Sequence, residues 1–222
     1  MNPGLDAIFF DFDGVILESA DLKTEAIADS IPELTPEQRD AFRRYHLENL
    51  GVSRYVKFAW AYRNLLGREI SDAESRRLGQ EYSRAVYDKV RCAPFVPGIP
   101  GALEDLAADL TLFIVSGTPT EEVVALAEDR AVASYFAEIW GSPSEKPDIV
   151  RDVVARHRLA PARSLFIGDG RTDYEAAAET GLHFLARDTP DQRHVWDRLP
   201  VQRVPDLREL PQIVRAFDGD GD

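Results

Sequence analysis

Ala7-Ile8-Phe9-Phe10-Asp11-Phe12-Asp13-Gly14 is the stretch that decides the fold. Four apolar residues in a row, with no alternation, suit a strand buried on both faces, and the Asp-x-Asp-Gly that ends them is a turn signal. From the boundary Ala93-Pro94-Phe95-Val96-Pro97-Gly98-Ile99-Pro100-Gly101 onward the pattern alternates. Helices are expected at 102–108, 120–128, 147–157 and 172–180, and strands at 111–115, 138–140, 164–167 and 183–185. Strands separated by helices of that length indicate a parallel sheet covered on both faces, so the class is α/β.

Between the first strand and the rest, residues 18–91 change to a helical character. Thr35-Pro36-Glu37-Gln38 combines an N-cap threonine, a proline at the first helical position and a glutamine three residues on. Ser71-Asp72-Ala73-Glu74 repeats the capping pattern before a stretch reaching about Lys89. Tyr55, Phe58, Ala59, Tyr62, Leu65 and Leu66 recur at helical spacing between them. The helical unit is therefore an insertion, dividing the chain into a core of 1–17 and 93–222 and an inserted unit of 18–92.

The bulk numbers narrow the function. With 222 residues, 44% hydrophobic and 29% charged, the composition is that of a globular protein. Thirty-nine acidic residues against 26 Lys+Arg give a net charge of -13, so the basic footprint of a nucleic-acid binder is missing. That field also repels phosphate esters, and a phosphate site must overcome it locally with a metal, a lysine or backbone N–H groups. Cys92 is the single cysteine, which rules out an internal disulfide and fits a reducing cytoplasm. The N-terminus does not read as a signal peptide and no apolar run suffices to span a bilayer, so a cytoplasmic protein without a membrane partner is expected.

In an open parallel sheet, ligands bind beyond the carboxyl ends of the strands. Asp11 and Asp13 follow the first expected strand, and Ser116-Gly117-Thr118-Pro119 the second. Lys146 lies in the loop after the third, and Asp169 and Asp173 come after the fourth. Carboxylates gathered at one rim repel unless a hard cation shares them, which suits Mg²⁺ with substrate phosphate. A carboxylate can attack phosphorus, while Lys146, Ser116 and backbone N–H groups near Gly117 can hold the transferring group. Asp13 is near enough to protonate the leaving oxygen and later deprotonate a water. Alone, each has a plainer reading as turn, cap or solvated lysine; together, in this order, they point to phosphoryl transfer.

Asp11-Phe12-Asp13-Gly14-Val15, Ser116-Gly117-Thr118, Lys146-Pro147 and Gly168-Asp169-Gly170-Arg171-Thr172-Asp173 resemble the four motifs of the haloacid dehalogenase superfamily. The resemblance implies a Rossmann-like parallel sheet core with an inserted α-helical cap of the family's first type. It also implies Asp11 as nucleophile and metal ligand, and Asp13 as general acid/base that offers the metal its backbone carbonyl. Asp169 would bind Mg²⁺, with Asp173 supporting it directly or through water, and Ser116 and Lys146 would hold the phosphate. The presence of Asp13 argues against a true dehalogenase.

Leu50-Gly51-Val52-Ser53-Arg54 is similar to the substrate-contacting loop of β-phosphoglucomutase-like members, so Arg54 is either a receptor for a distal anion or an exposed arginine. Lys57, one turn on, is expected to be solvated. Lys23 stands where that subgroup carries a histidine, and the fourth motif has the Gly-Asp-x-x-x-Asp form of phosphatase members; both argue against a mutase. His46, His157, His183 and His194 are expected away from the rim, and the Asp218-Gly219-Asp220-Gly221-Asp222 tail is expected to be solvated. The leading reading is a phosphatase acting on a small phosphorylated metabolite, a sugar phosphate or phospho-acid. A phosphomutase and a non-catalytic binding protein are the alternatives.

Overall fold

A computed structural model describes residues 4–217, so the acidic tail lies outside the described residues. The strands are β1 (Ala7–Phe10), β2 (Thr111–Pro119), β3 (Glu138–Ser142), β4 (Ser164–Gly168), β5 (His183–Arg187) and β6 (Gln202–Val204). They form one sheet in the order β3-β2-β1-β4-β5-β6, and every pairing is parallel. β1 is central, between β2 and β4, which is why its four residues are all buried. Successive side chains point to opposite faces. Ala7 and Phe9 accordingly enter one core cluster, and Ile8 and Phe10 the other. Phe9 stacks on Phe113 and Phe166, its register partners on the two flanking strands, at centroid distances of 4.9 and 6.3 Å.

Four helices lie between β1 and β2: α1 (Ala20–Asp29), α2 (Pro36–Glu48), α3 (Arg54–Leu65) and α4 (Asp72–Cys92). The expected capping box at α2 forms, with Gln38 N–H donating to Thr35 Oγ1 and Thr35 N–H to Gln38 Oε1. Ser71 caps α4 by accepting from Glu74 N–H. The chain leaves and re-enters the sheet through two segments running side by side. Glu18 N–H donates to the Pro94 carbonyl and Val96 N–H to that of Ile16.

The crossovers after β2 and β3 are α6 (Thr120–Asp129) and α7 (Lys146–His157); α5 (Gly101–Leu106) precedes β2 and α8 (Arg171–Thr180) follows β4. Lys146, expected in a loop, is thus the first residue of α7. Beyond β5 the structure adds α9 (Arg193–Trp196), β6 and α10 (Leu210–Arg215), which the sequence pattern does not reveal. These are short elements, and the edge strand β6 exposes Gln202 and Arg203 and buries only Val204. Hydrophobic periodicity has almost nothing to register there. No helix among the described residues is long and apolar enough to cross a membrane.

Candidate active site

The carboxyl ends of β1, β2 and β4 converge on a cavity beneath the four inserted helices. Asp11, Asp13, Ser116 and Asp169 line its sheet side, and Lys23, His46, Arg54 and Lys57 its helical side. Asp11 is the first residue past β1. Its N–H donates to the Ile167 carbonyl at 2.9 Å, continuing the sheet, and its Oδ1 accepts from Phe12 N–H at 2.7 Å. The carboxylate is therefore held from its own backbone, with Oδ2 3.0 Å from Lys146 Nζ.

Asp11, Asp169 and Asp173 each offer an oxygen within 4.8 Å of the others, and all three are buried. Lys146 Nζ donates to Asp173 Oδ1 at 2.5 Å, and Asp173 Oδ2 accepts from Gly170 N–H at 3.0 Å. Both Asp173 oxygens are thus engaged by protein, whereas Asp169 Oδ2 is buried with no partner. Burial, then Asp11 and Asp173, push the Asp169 carboxyl well above its usual range. Burial and Asp11 likewise push Asp173 up to about 7, against the pull of Lys146. Burial acts against the Lys146 ammonium, but Asp11 and Asp173 outweigh it and hold the group charged. A cluster of hard oxygens, short of positive charge and with one orphaned oxygen, fits a divalent cation. Backbone crowding keeps it compact: a Cβ on Gly14 would lie 2.1 Å from Asp169 Oδ2, and Gly14 has φ +77°.

Asp13 points elsewhere. Its Oδ2 accepts from Lys23 Nζ at 2.5 Å and from Thr118 Oγ1 at 3.0 Å, and its Oδ1 from Ser19 Oγ at 2.6 Å. Burial opposes ionisation, but Lys23 and these hydrogen bonds prevail and hold the carboxyl below its ordinary value. Ser116 Oγ accepts from Thr118 N–H at 3.1 Å. Gly117 sits under the inserted loop so closely that a Cβ there would lie 2.2 Å from the Gly51 carbonyl oxygen.

The helical unit is closed on the sheet by polar contacts. Thr172 Oγ1 donates to the Leu50 carbonyl at 2.7 Å and Gln192 Nε2 to that of Leu47 at 3.0 Å. Arg54 is not exposed, though it lines the cavity. It is 5% exposed, its Nη2 lies 3.0 Å from Glu122 Oε1, its Nη1 donates to Ser83 Oγ, and its guanidinium lies over the Tyr82 ring.

Two expectations are corrected. Lys57 is not solvated: it is 3% exposed, because its turn of α3 faces the cavity rather than water. His46 is not away from the rim. It is buried in the last turn of α2, lines the cavity, and its Nδ1 lies 3.0 Å from Lys57 Nζ. His157 and His183 do lie at the opposite end of the sheet, where His157 pairs with Glu138 at the start of β3 and His183 opens β5.

Sequence reasoning misses three residues. Lys23 stands out in the sequence only as a departure from the mutase pattern, yet it bridges Asp13 to Thr118. Thr118, quoted with Ser116 and Gly117 but given no role, joins that bridge from within β2. Arg187 ends β5 and donates to the Gly14 carbonyl and to both Glu18 oxygens, bracing the loop that carries Asp13. The expected end of β5 at residue 185 hides it, although its place at the carboxyl end of a strand is the same signal that marks Asp11 and Asp169.

A parallel sheet whose strand ends gather a buried acid cluster around a lysine, under a unit of four helices, is the arrangement that the four motifs imply. The sequence profile of the haloacid dehalogenase-like hydrolases matches residues 5–181, and the chain belongs to that family. It is 26% identical to a phosphoglycolate phosphatase of Synechococcus elongatus over 187 residues, 82% of this chain and 83% of the relative. A phosphoglycolate phosphatase of Photobacterium profundum is 25% identical over 200 residues, covering 82% of each chain. Among solved structures, a predicted phosphatase from Clostridium acetobutylicum superposes with a TM-score of 0.74 at 18% identity, covering 96% of this chain and 99% of the other. CbbY from Rhodobacter sphaeroides, solved with xylulose-(1,5)bisphosphate, superposes with a TM-score of 0.72 at 18% identity, covering 93% and 96%.

Proposed function

We propose that this enzyme is a Mg²⁺-dependent phosphatase that cleaves a small phosphorylated metabolite through an aspartyl-phosphate at Asp11. The observation that carries the proposal is the meeting of Asp11 Oδ2 with Lys146 Nζ beside the buried oxygens of Asp169 and Asp173. Asp11 attacks phosphorus with Oδ2; Lys146 holds the equatorial phosphate oxygens, helped by Ser116 and the N–H groups around Gly117. Asp11 and Asp169 would hold the cation directly, with Asp173 acting through Lys146 and water because its own oxygens are taken. When bound, that cation neutralises the acid cluster and withdraws charge from the phosphoryl oxygens.

Asp13 handles the proton. Without substrate it is held ionised by Lys23. A phosphate dianion entering the cavity favours its protonated form, because like charges disfavour ionisation. The proton then passes to the leaving oxygen, and the carboxylate so regenerated takes one from the water that attacks the aspartyl-phosphate.

The phosphoglycolate phosphatases among the relatives support a phospho-acid over a sugar phosphate. The test is a phosphate-release screen with Mg²⁺ over phospho-acids and sugar phosphates. Phosphate released in step with substrate lost is expected; isomer formation without release would overturn hydrolysis in favour of a mutase.

A further inference from the structure

The helical wall of the cavity holds a charge that phosphoryl transfer leaves unused. Four cations surround the site, and three are each answered by a carboxylate: Lys23 by Asp13, Arg54 by Glu122, and Lys146 by Asp11 and Asp173. Lys57 is as deeply buried as these, yet its Nζ meets only His46 Nδ1 and no carboxylate lies within ion-pair distance among the described residues. A buried ammonium without a counter-charge is expensive to hold, and the expense is recovered when an anion arrives. Its surroundings agree: burial, then Lys23, Lys146 and Arg54, against a smaller pull from Asp13, bring Lys57 down to about 7.

His46 positions that ammonium. With Lys57 donating to Nδ1, the neutral imidazole carries its proton on Nε2. That Nε2 is buried without a partner. Burial, Lys57 and Lys23 keep the ring well below its usual pKa, so it stays neutral. The ammonium therefore keeps N–H groups without acceptors in a cavity that Lys57 lines across from Asp11. Arg54, the nearest alternative, already spends its guanidinium on Glu122, Ser83 and Tyr82.

We infer that Lys57, positioned by His46, is the receptor for a carboxylate carried by the substrate at the end away from its phosphate. A carboxylate matches it: one negative charge for one ammonium, whose N–H groups not used on His46 have no acceptor. The inference rests on the phosphatase reading and names its substrate class as phosphorylated carboxylic acids. It also explains how a chain of net charge -13 admits a molecule with an anionic group at each end, since the uncompensated positive charge sits inside the cavity.

The test measures equilibrium binding of 2-phosphoglycolate and of ethyl phosphate, with Mg²⁺, in Asp11→Asn protein that binds without turnover. The acid is expected to bind at least about tenfold more tightly than ethyl phosphate, which lacks the carboxylate, equivalent to about 1.4 kcal/mol. Adding Lys57→Met, or Lys57→Gln as a second variant, should bring that ratio close to one, with thermal melts verifying that each protein folds. An acid preference that survives both substitutions, or none in the parent, overturns the receptor. Phosphate release by the wild type reads the other claim separately. If neither ester is hydrolysed the phosphatase reading fails, while the binding ratio still decides the role of Lys57.

Discussion

The two walls of the cavity are built on opposite plans. On the sheet side, negative charge is in excess: Asp11 and Asp173 share one lysine, and beside them an Asp169 oxygen is left over. On the helical side, positive charge is in excess: among the described residues Lys57 has no carboxylate, and His46 has an idle nitrogen. Each wall is unfavourable alone, and what each lacks is what a cation and an anionic substrate bring. The sheet wall carries chemistry common to phosphoryl transfer, because its members are fixed to strand ends. The helical wall carries discrimination, because its members come from α1, α2 and α3, which lie outside the sheet.

Breaking the sheet wall should have the larger consequence. Asp11→Asn is expected to lower turnover by about 10⁴-fold or more while the fold survives, since an amide is a poor nucleophile and a poor ligand. A chelator should stop the wild type and added Mg²⁺ restore it; steady-state rates check both. Lys146→Met should cost about 10²–10³ in kcat, because a donor to the transferring phosphate is lost. If KM alone rises, Lys146 serves binding rather than the transition state.

The contrast also predicts an unusual pH profile for metal-free stability. Asp173 titrates near 7 when folded and near its ordinary value when unfolded, so the folded state holds the extra proton in between. Stability should fall from about pH 4 to about pH 7, by on the order of 2–4 kcal/mol. Lys57 works the other way. It releases its proton near pH 7 when folded and only near pH 10 when unfolded, so its part of the stability rises across that interval. Denaturation in chelator at pH 5, 7 and 9 should show both arms; Mg²⁺ should remove the first and Lys57→Met the second. The smallest effect is expected at the contact between the two regions. Glu122→Gln weakens the buried pair with Arg54 and should cost about 1–3 kcal/mol of stability by denaturant titration.

The sheet wall is legible in the sequence for a physical reason. A parallel strand buried on both faces is a continuous apolar run, and its end is marked by the first polar residue, so Asp11, Ser116 and Asp169 announce themselves. The helical wall is not. Lys57 and His46 meet across α3 and α2 at 3.0 Å although eleven residues separate them. Nothing in helical spacing distinguishes a lysine turned into a cavity from one turned to water. Arg54 shows the same limit, since its partner Glu122 lies 68 residues away. The last strand of the sheet is opaque because a three-residue edge strand leaves no period to detect.

The central claim, attack by Asp11 rather than by water, is tested most directly by the stereochemical course at phosphorus, using a phosphorothioate ester made chiral with two oxygen isotopes and hydrolysed in water carrying the third. Two in-line displacements, one by Asp11 and one by water, each invert the centre, so the account predicts thiophosphate released with net retention. Net inversion would mean a single displacement by water, and would contradict the assignment of Asp11 as nucleophile.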